Sequence, residues 1–263
     1  MANSNTAGRV AVITGAKQGI GKRTAELLAG RGYRIAVFDL EDAGETVAAT
    51  AAGGGEAFSS RGDVADETAV EAFAHQVVER FGSADVLVNN AGISMIVPAE
   101  ETSAASFRRV LEVNLVGPFL LAKAFGKRML ETGSGWIINV SSVAGLLAVS
   151  DRAAYNTSKH GLIGLTRTLA AEWGGRGVRV NAVCPGWVKT EMDVADQAGG
   201  SYTDADITGR IPMGRFAGPE DIARAIAFLA NGEESGFVNG ITLSVDGGWA
   251  ADANWESLRL RKR

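Results

Sequence analysis

The chain has 263 residues, of which 46% are hydrophobic and 21% charged, and its formal net charge is -4. That length suits one α/β domain with a sizeable core, and the charge gives no general attraction for nucleic acid. A lone cysteine, Cys184, excludes an intrachain disulfide and a cysteine zinc cluster.

Residues 1–8 read as a polar extension without the apolar core of a signal peptide. No stretch approaches the apolar length of a membrane span, so a cytoplasmic protein with no membrane partner is expected. The first β-type run is Val10–Ile13. Thr14-Gly15-Ala16-Lys17-Gln18-Gly19-Ile20-Gly21 follows, and it opens a helical pattern near Gly19–Ala29. Strand, glycine turn and helix together are the context a dinucleotide motif needs. Glycines let the backbone approach a pyrophosphate, and free N–H groups at the helix start favour an anion. The alternative is a helix start chosen only for tight turning.

A second strand, Arg34–Phe38, ends at Asp39 in Val37-Phe38-Asp39-Leu40. A carboxylate there accepts hydrogen bonds from both hydroxyls of an adenosine ribose and repels a 2′-phosphate. Glu41 and Asp42 follow, so local charge favours NAD, while Lys17 in the glycine loop pulls towards NADP. A helix at Asp42–Ala51, a turn at Gly53-Gly54-Gly55 and a strand at Ala57–Ser59 come next, then Asp63-Val64. Alone, Asp63 reads as a turn or helix-cap residue. The helix Glu67–Phe81 carries His75, and Asp85 precedes the strand Val86–Val88 as a structural residue. After that strand come Asn89-Asn90-Ala91-Gly92.

One long helix is expected over Ser103–Glu131, with Asn114 as a poor helix former inside it. The strand Trp136–Val140 leads to Ser141 and Ser142, and the helix Ala153–Trp173 opens with Tyr155 and Lys159. Four residues of spacing put phenol and ammonium on one helix face. A nearby cation favours phenolate, so the Tyr155 pKa is expected to fall from its usual ~10. Such a tyrosine exchanges a proton with a substrate oxygen. Neither His75 nor His160 has metal-ligand spacing, and no metal is expected. The strand Arg179–Val183 runs into Cys184, read as a packing residue, and Pro185-Gly186. Residues 187–215 have little periodicity and include Gly199-Gly200. A long irregular loop of this kind is usually functional, the alternative being a disordered insertion. A helix at Pro219–Leu229, a strand at Thr242–Val245 and a tail at 250–263, basic at its end, complete the chain.

The alternation implies an α/β Rossmann fold, with a doubly wound parallel sheet of seven strands and helices on both faces. Ligands then sit beyond the carboxyl ends of the strands. Gly15, Asp39, Asp63, Asn90, Ser142 and Pro185 all follow predicted strands, which collects them on one edge.

Taken together, these motifs resemble the short-chain dehydrogenase/reductase family. Thr14-Gly15-x-x-x-Gly19-x-Gly21 matches its cofactor motif, and Asn89-Asn90-Ala91-Gly92 its second motif. Asn114 matches its helix asparagine, Ser142, Tyr155 and Lys159 the rest of its catalytic set, and Pro185-Gly186 with Thr190 its cofactor loop. The resemblance runs from about Val10 to Trp249 and implies one domain over 1–263. It implies cofactor contacts from Thr14, Gly15, Gln18, Gly19, Ile20 and Gly21, and from Asp39, Leu40, Asp63 and Val64 near the adenosine. Asn90, Ala91, Gly92, Tyr155, Lys159, Pro185, Gly186, Val188 and Thr190 complete that set. In members that prefer NADP, the basic residue usually stands directly before the second glycine, where this chain has Gln18. NAD is therefore the expected cofactor and NADP the alternative.

The implied chemistry is hydride transfer between a nicotinamide and a carbonyl or alcohol carbon. Tyr155 exchanges the proton, Lys159 lowers its pKa and holds the nicotinamide ribose, and Ser142 donates to the substrate oxygen. Asn114 holds a water that joins Lys159 to solvent. Ser142 is chosen over Ser141 because the family's serine precedes its tyrosine by thirteen residues, as Ser142 does Tyr155. Substrate contacts are expected from Ser94, Met95, Ser142, Leu147, Arg152, Tyr155 and Trp187, with the loop 187–215 closing over the substrate. Arg152 would meet an anionic or polyhydroxy substrate, or else lie on a solvated surface.

The leading reading is an NAD-linked dehydrogenase of a secondary alcohol: a polyol, a sugar or a similar hydroxy compound. A 3-oxoacyl thioester reductase using NADPH is the enzyme alternative, and a steroid or aromatic-diol dehydrogenase stays open. A non-catalytic dinucleotide sensor is the reading from another class. A homo-oligomer, dimer or tetramer, is implied through the helix face of Leu162, Leu165, Leu169 and Ala170, whose alternative role is core.

Overall fold

The computed structural model describes residues 8–197 and 203–253. Its sheet has seven parallel strands in the order β3-β2-β1-β4-β5-β6-β7. They are β1 (Val10–Thr14), β2 (Arg34–Asp39), β3 (Ala57–Arg61), β4 (Val86–Asn89), β5 (Gly135–Val140), β6 (Val178–Pro185) and β7 (Thr242–Val245). All five residues of β1 are buried, as a parallel strand covered on both faces must be. Its alternation divides the core in two. Val10 and Val12 join Phe38, Phe73 and Phe125 on one face. Ala11 and Ile13 join Leu28, Ile222 and Ile226 on the other.

The helices supply those partners. One face is covered by α1 (Gly19–Gly30) and the later Pro219–Ala230 helix; α2 (Gly44–Ala52) lies beside α1. The opposite face takes α3 (Glu67–Phe81), whose Phe73 stacks on Phe38 with ring centroids 4.6 Å apart. Asp66 caps α3 by accepting from the N–H groups of Thr68 and Ala69, and Gly82 ends it at φ +78°.

The single helix expected over Ser103–Glu131 is three pieces: α4 (Ala104–Leu111), a π turn at Glu112–Val116, and α5 (Gly117–Thr132). Pro118 explains the break. It has no N–H to give the carbonyl four residues earlier, which belongs to Asn114. The ladder therefore widens, as happens often at functional sites.

Next comes α6 (Ala153–Trp173). Its Leu162, Leu169 and Ala170 are buried within the chain and Leu165 packs partly against the same core, so that face is core here. Beyond β6, the stretch read as irregular contains α7 (Glu191–Gln197) and α8 (Asp204–Arg210), followed by α9 (Pro219–Ala230). A capping box of Thr203 and Asp206 starts α8, a signal present in the sequence as Thr-x-x-Asp. Gly199-Gly200, residues 1–7 of the N-terminal extension and residues 254–263 of the tail lie outside the described residues. Among the described residues, no helix is long and apolar enough to cross a membrane.

Strand order reverses its direction of growth between β1 and β4. That switch point opens a crevice beyond the carboxyl ends of those two strands.

Candidate active site

Gly15 and Asn90 stand at the switch point and build one wall together. Gly15 has φ +63°, and a Cβ there would lie 2.7 Å from Ala91 Cα. Asn90 donates from Nδ2 to the carbonyls of Thr14 (3.0 Å) and Gly15 (2.8 Å). Buried Thr14 answers through Oγ1, which accepts from the N–H groups of Asn90 (3.1 Å) and Ala91 (3.0 Å). Gly21 packs under this clamp; a Cβ would meet Gly15 O at 2.2 Å and Asn90 Nδ2 at 2.6 Å. No side chain caps the start of α1, and its first turn holds no acid. The exposed N–H dipoles there suit an anionic pyrophosphate.

A cavity of about 320 Å³ runs from Asp39 past this loop to Tyr155. Gly15, Gln18, Gly19 and Ile20 line it at one wall, and Asn90, Ala91 and Gly92 at its floor. Pro185, Gly186, Val188 and Thr190 line the wall beyond β6. A lining that reaches from Asp39 to Tyr155, the glycine cradle and the uncapped helix start fit a dinucleotide.

Asp39 Oδ2 accepts from Lys17 N at 2.9 Å and Oδ1 from Glu41 N at 3.1 Å, so backbone donors fix the carboxylate in place. The Lys17 ammonium pairs with Glu41, which pushes the lysine's pKa up and the carboxyl's down. The cation that pulled towards NADP is thus already matched. Thr14 and Gly21 support the cavity from beneath rather than line it. Leu40, Asp63 and Val64 do not line it either. Leu40 is solvent-exposed; Asp63 pairs with Arg109 at 2.6 Å and caps its own turn through Ala65 N; Val64 is buried beside Gly117.

At the other end, Ser142, Tyr155 and Lys159 meet in the cavity. Ser142 leaves β5 in an extended conformation, and its Oγ accepts from Ala144 N at 3.1 Å while sharing a hydrogen bond with the Tyr155 hydroxyl. Ser141 Oγ donates to the Lys159 carbonyl at 3.0 Å, a backbone tie. Buried Lys159 donates from Nζ to the Val140 carbonyl at 2.8 Å and lies 5.6 Å from the Tyr155 ring centroid.

The pKa expectation for Tyr155 needs correction. Burial raises it, outweighing the Ser142 hydrogen bond and the Arg152 charge that lower it. Desolvation acts on Lys159 too, bringing its pKa down to about 8. Both groups disfavour their charged forms because both have lost water.

Asn114 sits behind this set, fully buried in the π turn. Its amide accepts from Ile93 N (2.9 Å) and donates to Ile93 O (3.0 Å) and Ser158 Oγ (3.1 Å). It thus ties the segment after β4 to α6, one turn from Tyr155.

Of the expected substrate residues, Ser94, Arg152 and Trp187 line the cavity; Met95 and Leu147 do not, and Leu147 is exposed. Val149 supplies the apolar wall from that loop instead. Sequence reasoning missed Asp196 on α7 and Trp249 after β7, both in the lining. Trp187 and Trp249 stand 5.9 Å apart at a tilted angle. Buried Arg152 donates from Nη1 to Ser94 Oγ (2.7 Å) and Asp196 (3.0 Å). The solvated-surface reading of Arg152 is thereby excluded.

Comparison with known proteins agrees with this geometry. Residues 15–250 match a family described as enoyl-(acyl carrier protein) reductase. The chain is 44% identical to D-threitol dehydrogenase of Mycolicibacterium smegmatis over 246 residues, 92% of this chain and 93% of that one. It is 39% identical to a 3-oxoacyl-[acyl-carrier-protein] reductase of Synechocystis, over 91% of this chain and 96% of that one. Among solved structures, levodione reductase superposes with a TM-score of 0.90 at 34% identity, covering 93% of this chain and 98% of its own. Two other solved neighbours hold NADP.

Proposed function

The chain belongs to the short-chain dehydrogenase/reductase family, oxidoreductases with an NAD(P)-binding Rossmann fold, and from that premise we propose an NAD-linked dehydrogenase of a secondary alcohol. Its substrate class is a polyol, a sugar or a similar small hydroxy compound. The carrying observation is one cavity that joins Asp39 at its far end to Ser142, Tyr155 and Lys159 at its near end.

The nicotinamide, when bound, supplies or accepts the hydride. The chain's own residues do the rest. Tyr155 exchanges the proton with the substrate oxygen, and Ser142 donates a hydrogen bond to that oxygen as charge develops on it. Lys159 holds a buried positive charge beside the phenol. Asp39, fixed by two backbone donors, accepts from the adenosine ribose and disfavours a 2′-phosphate. We also propose that the chain works as a homo-oligomer, a dimer or tetramer.

The 3-oxoacyl reductase reading has a relative behind it, but α7 sets Glu191, Asp193 and Asp196 in the cavity wall. That wall is poorly suited to an acidic carrier protein. The test is initial-rate absorbance at 340 nm with polyols, sugars and simple alcohols, using NAD and then NADP, beside Tyr155→Phe. NAD-linked turnover that vanishes in the variant is the expected result. Turnover only of an oxoacyl thioester with NADPH would move the chain to the reductase class. Tight NAD binding with no turnover would favour the sensor.

A further inference from the structure

Arg152 is an unusual wall for a small cavity. Its guanidinium is 8% exposed as a residue and is 6.0 Å from the Tyr155 ring centroid and 5.7 Å from that of Trp187. Burying a charged pair is costly unless geometry and hydrogen bonds compensate. Here they do. Arg152 Nη1 bonds to Ser94 Oγ and Asp196 Oδ2, and Ser94 Oγ closes the triangle by donating to Asp196 at 3.2 Å. The backbone below is fixed as well. Asp151 adopts φ +59°, rare for a residue with a side chain, and its carbonyl accepts from Val97 N at 2.8 Å.

Three elements contribute: Ser94 after β4, Arg152 at the start of α6, and Asp196 on α7. The neighbouring acid Asp193 pairs with Lys189 at 3.1 Å, leaving Asp196 as the carboxylate that faces Arg152. All three line the cavity that holds Ser142 and Tyr155.

The charge balance decides what such a triangle recognises. The Arg152 charge is matched by Asp196, so a substrate carboxylate would meet repulsion from Asp196 along with any attraction from the guanidinium. A hydroxyl meets no such conflict, because it donates to the carboxylate and accepts from the guanidinium at once. Such a charge-assisted pair is stronger than a neutral one.

We propose that Ser94, Arg152 and Asp196 form a subsite for an uncharged hydroxyl beside the carbon whose oxygen meets Tyr155, so that the chain selects neutral vicinal polyols over hydroxy acids. The proposal rests on the dehydrogenase reading for its position relative to the reacting carbon. Trp187 and Trp249 then cover the C–H face of the same carbon chain.

The test compares kcat/KM with NAD for four- and five-carbon alditols, the matching aldonic acids, and 2-butanol. It uses the wild type, Asp196→Asn and Ser94→Ala. The wild type should prefer alditols to acids. Asp196→Asn should lose about ten- to hundredfold on alditols, mainly through KM, with a much smaller loss on 2-butanol and a gain on the acids. Ser94→Ala should show the same pattern more weakly. Equal losses on alditols and 2-butanol in both variants would overturn the subsite, as would a wild-type preference for acids. Titrating alditols into the NADH complex while following tryptophan fluorescence separates the two readings. A saturable change lost in Asp196→Asn, with no turnover of any alcohol, would keep the subsite and sink the dehydrogenase. Turnover of 2-butanol with no alditol response would do the reverse.

Discussion

Replacing Lys159 with methionine should abolish turnover and yet stabilise the fold. Burial lowers the Lys159 pKa from 10.5 to about 8, which at 1.36 kcal/mol per pKa unit is a penalty of about 3 kcal/mol at neutral pH. Methionine keeps a straight chain of similar volume, so packing changes little. The lost Nζ bond to the Val140 carbonyl costs about 1 kcal/mol in return. A net gain of about 2 kcal/mol at pH 7 follows from those two figures. The sign has a pH signature. With the folded pKa depressed, the unfolded chain holds more protons between pH 8 and 10.5, so wild-type stability rises with pH across that window. The variant lacks this contribution, and its advantage should shrink and then reverse as pH approaches 10.5. Urea unfolding of both proteins at pH 7 and at pH 10 measures the gap, and titrations common to both cancel. A variant less stable at pH 7, or a gap unchanged between the two pH values, would refute the reasoning.

Three further predictions concern the same cavity. Gly21→Ala would drive a Cβ to 2.2 Å from the Gly15 carbonyl and split the Asn90 clamp; NADH titration by fluorescence should show a Kd weakened by more than about tenfold, and an unchanged Kd would remove the clamp's role. Ser142→Ala removes a hydrogen bond that lowers the Tyr155 pKa, so the ascending limb of the pH profile for alcohol oxidation, where the phenol loses its proton, should move to higher pH, with kcat down about a hundredfold. A limb that stays in place would separate Ser142 from the phenol. Glu41→Gln frees the Lys17 ammonium, and the ratio of kcat/KM for NADP to that for NAD should rise several-fold; a constant ratio would show that Asp39 alone decides the preference.

The inner strands were legible because they are short apolar runs that a parallel sheet buries, while the edge strands β3 and β7 are only half-buried. The glycine loop, Ser142, Tyr155 and Lys159 were legible because each depends on neighbours within one strand–helix unit. The π turn was missed although its cause, Pro118, was visible four residues after Asn114. The pairing of Asp63 with Arg109 was out of sight, because Arg109 comes from α4, 46 positions away. Asp196 and Trp249 were out of reach for the same reason. Asp196 becomes a site residue only when α7 folds over Arg152, which lies 44 positions back in the chain. The raised pKa of Tyr155 shows the limit of arguing from spacing: four residues of separation reveal a neighbouring cation but not the water that both groups lose.

Cys184 gives the folded chain an internal clock. The thiol is fully buried at the end of β6, hydrogen-bonded by Ser141 and Ser142, and its pKa is pushed up by that burial. No other sulfhydryl exists in the sequence to compete for a labelling reagent. Modification therefore reports how often the strand end beneath the serines opens. Holding the cavity shut from the cofactor side should slow that labelling, which makes one sulfur atom a readout of ligand occupancy that needs no turnover.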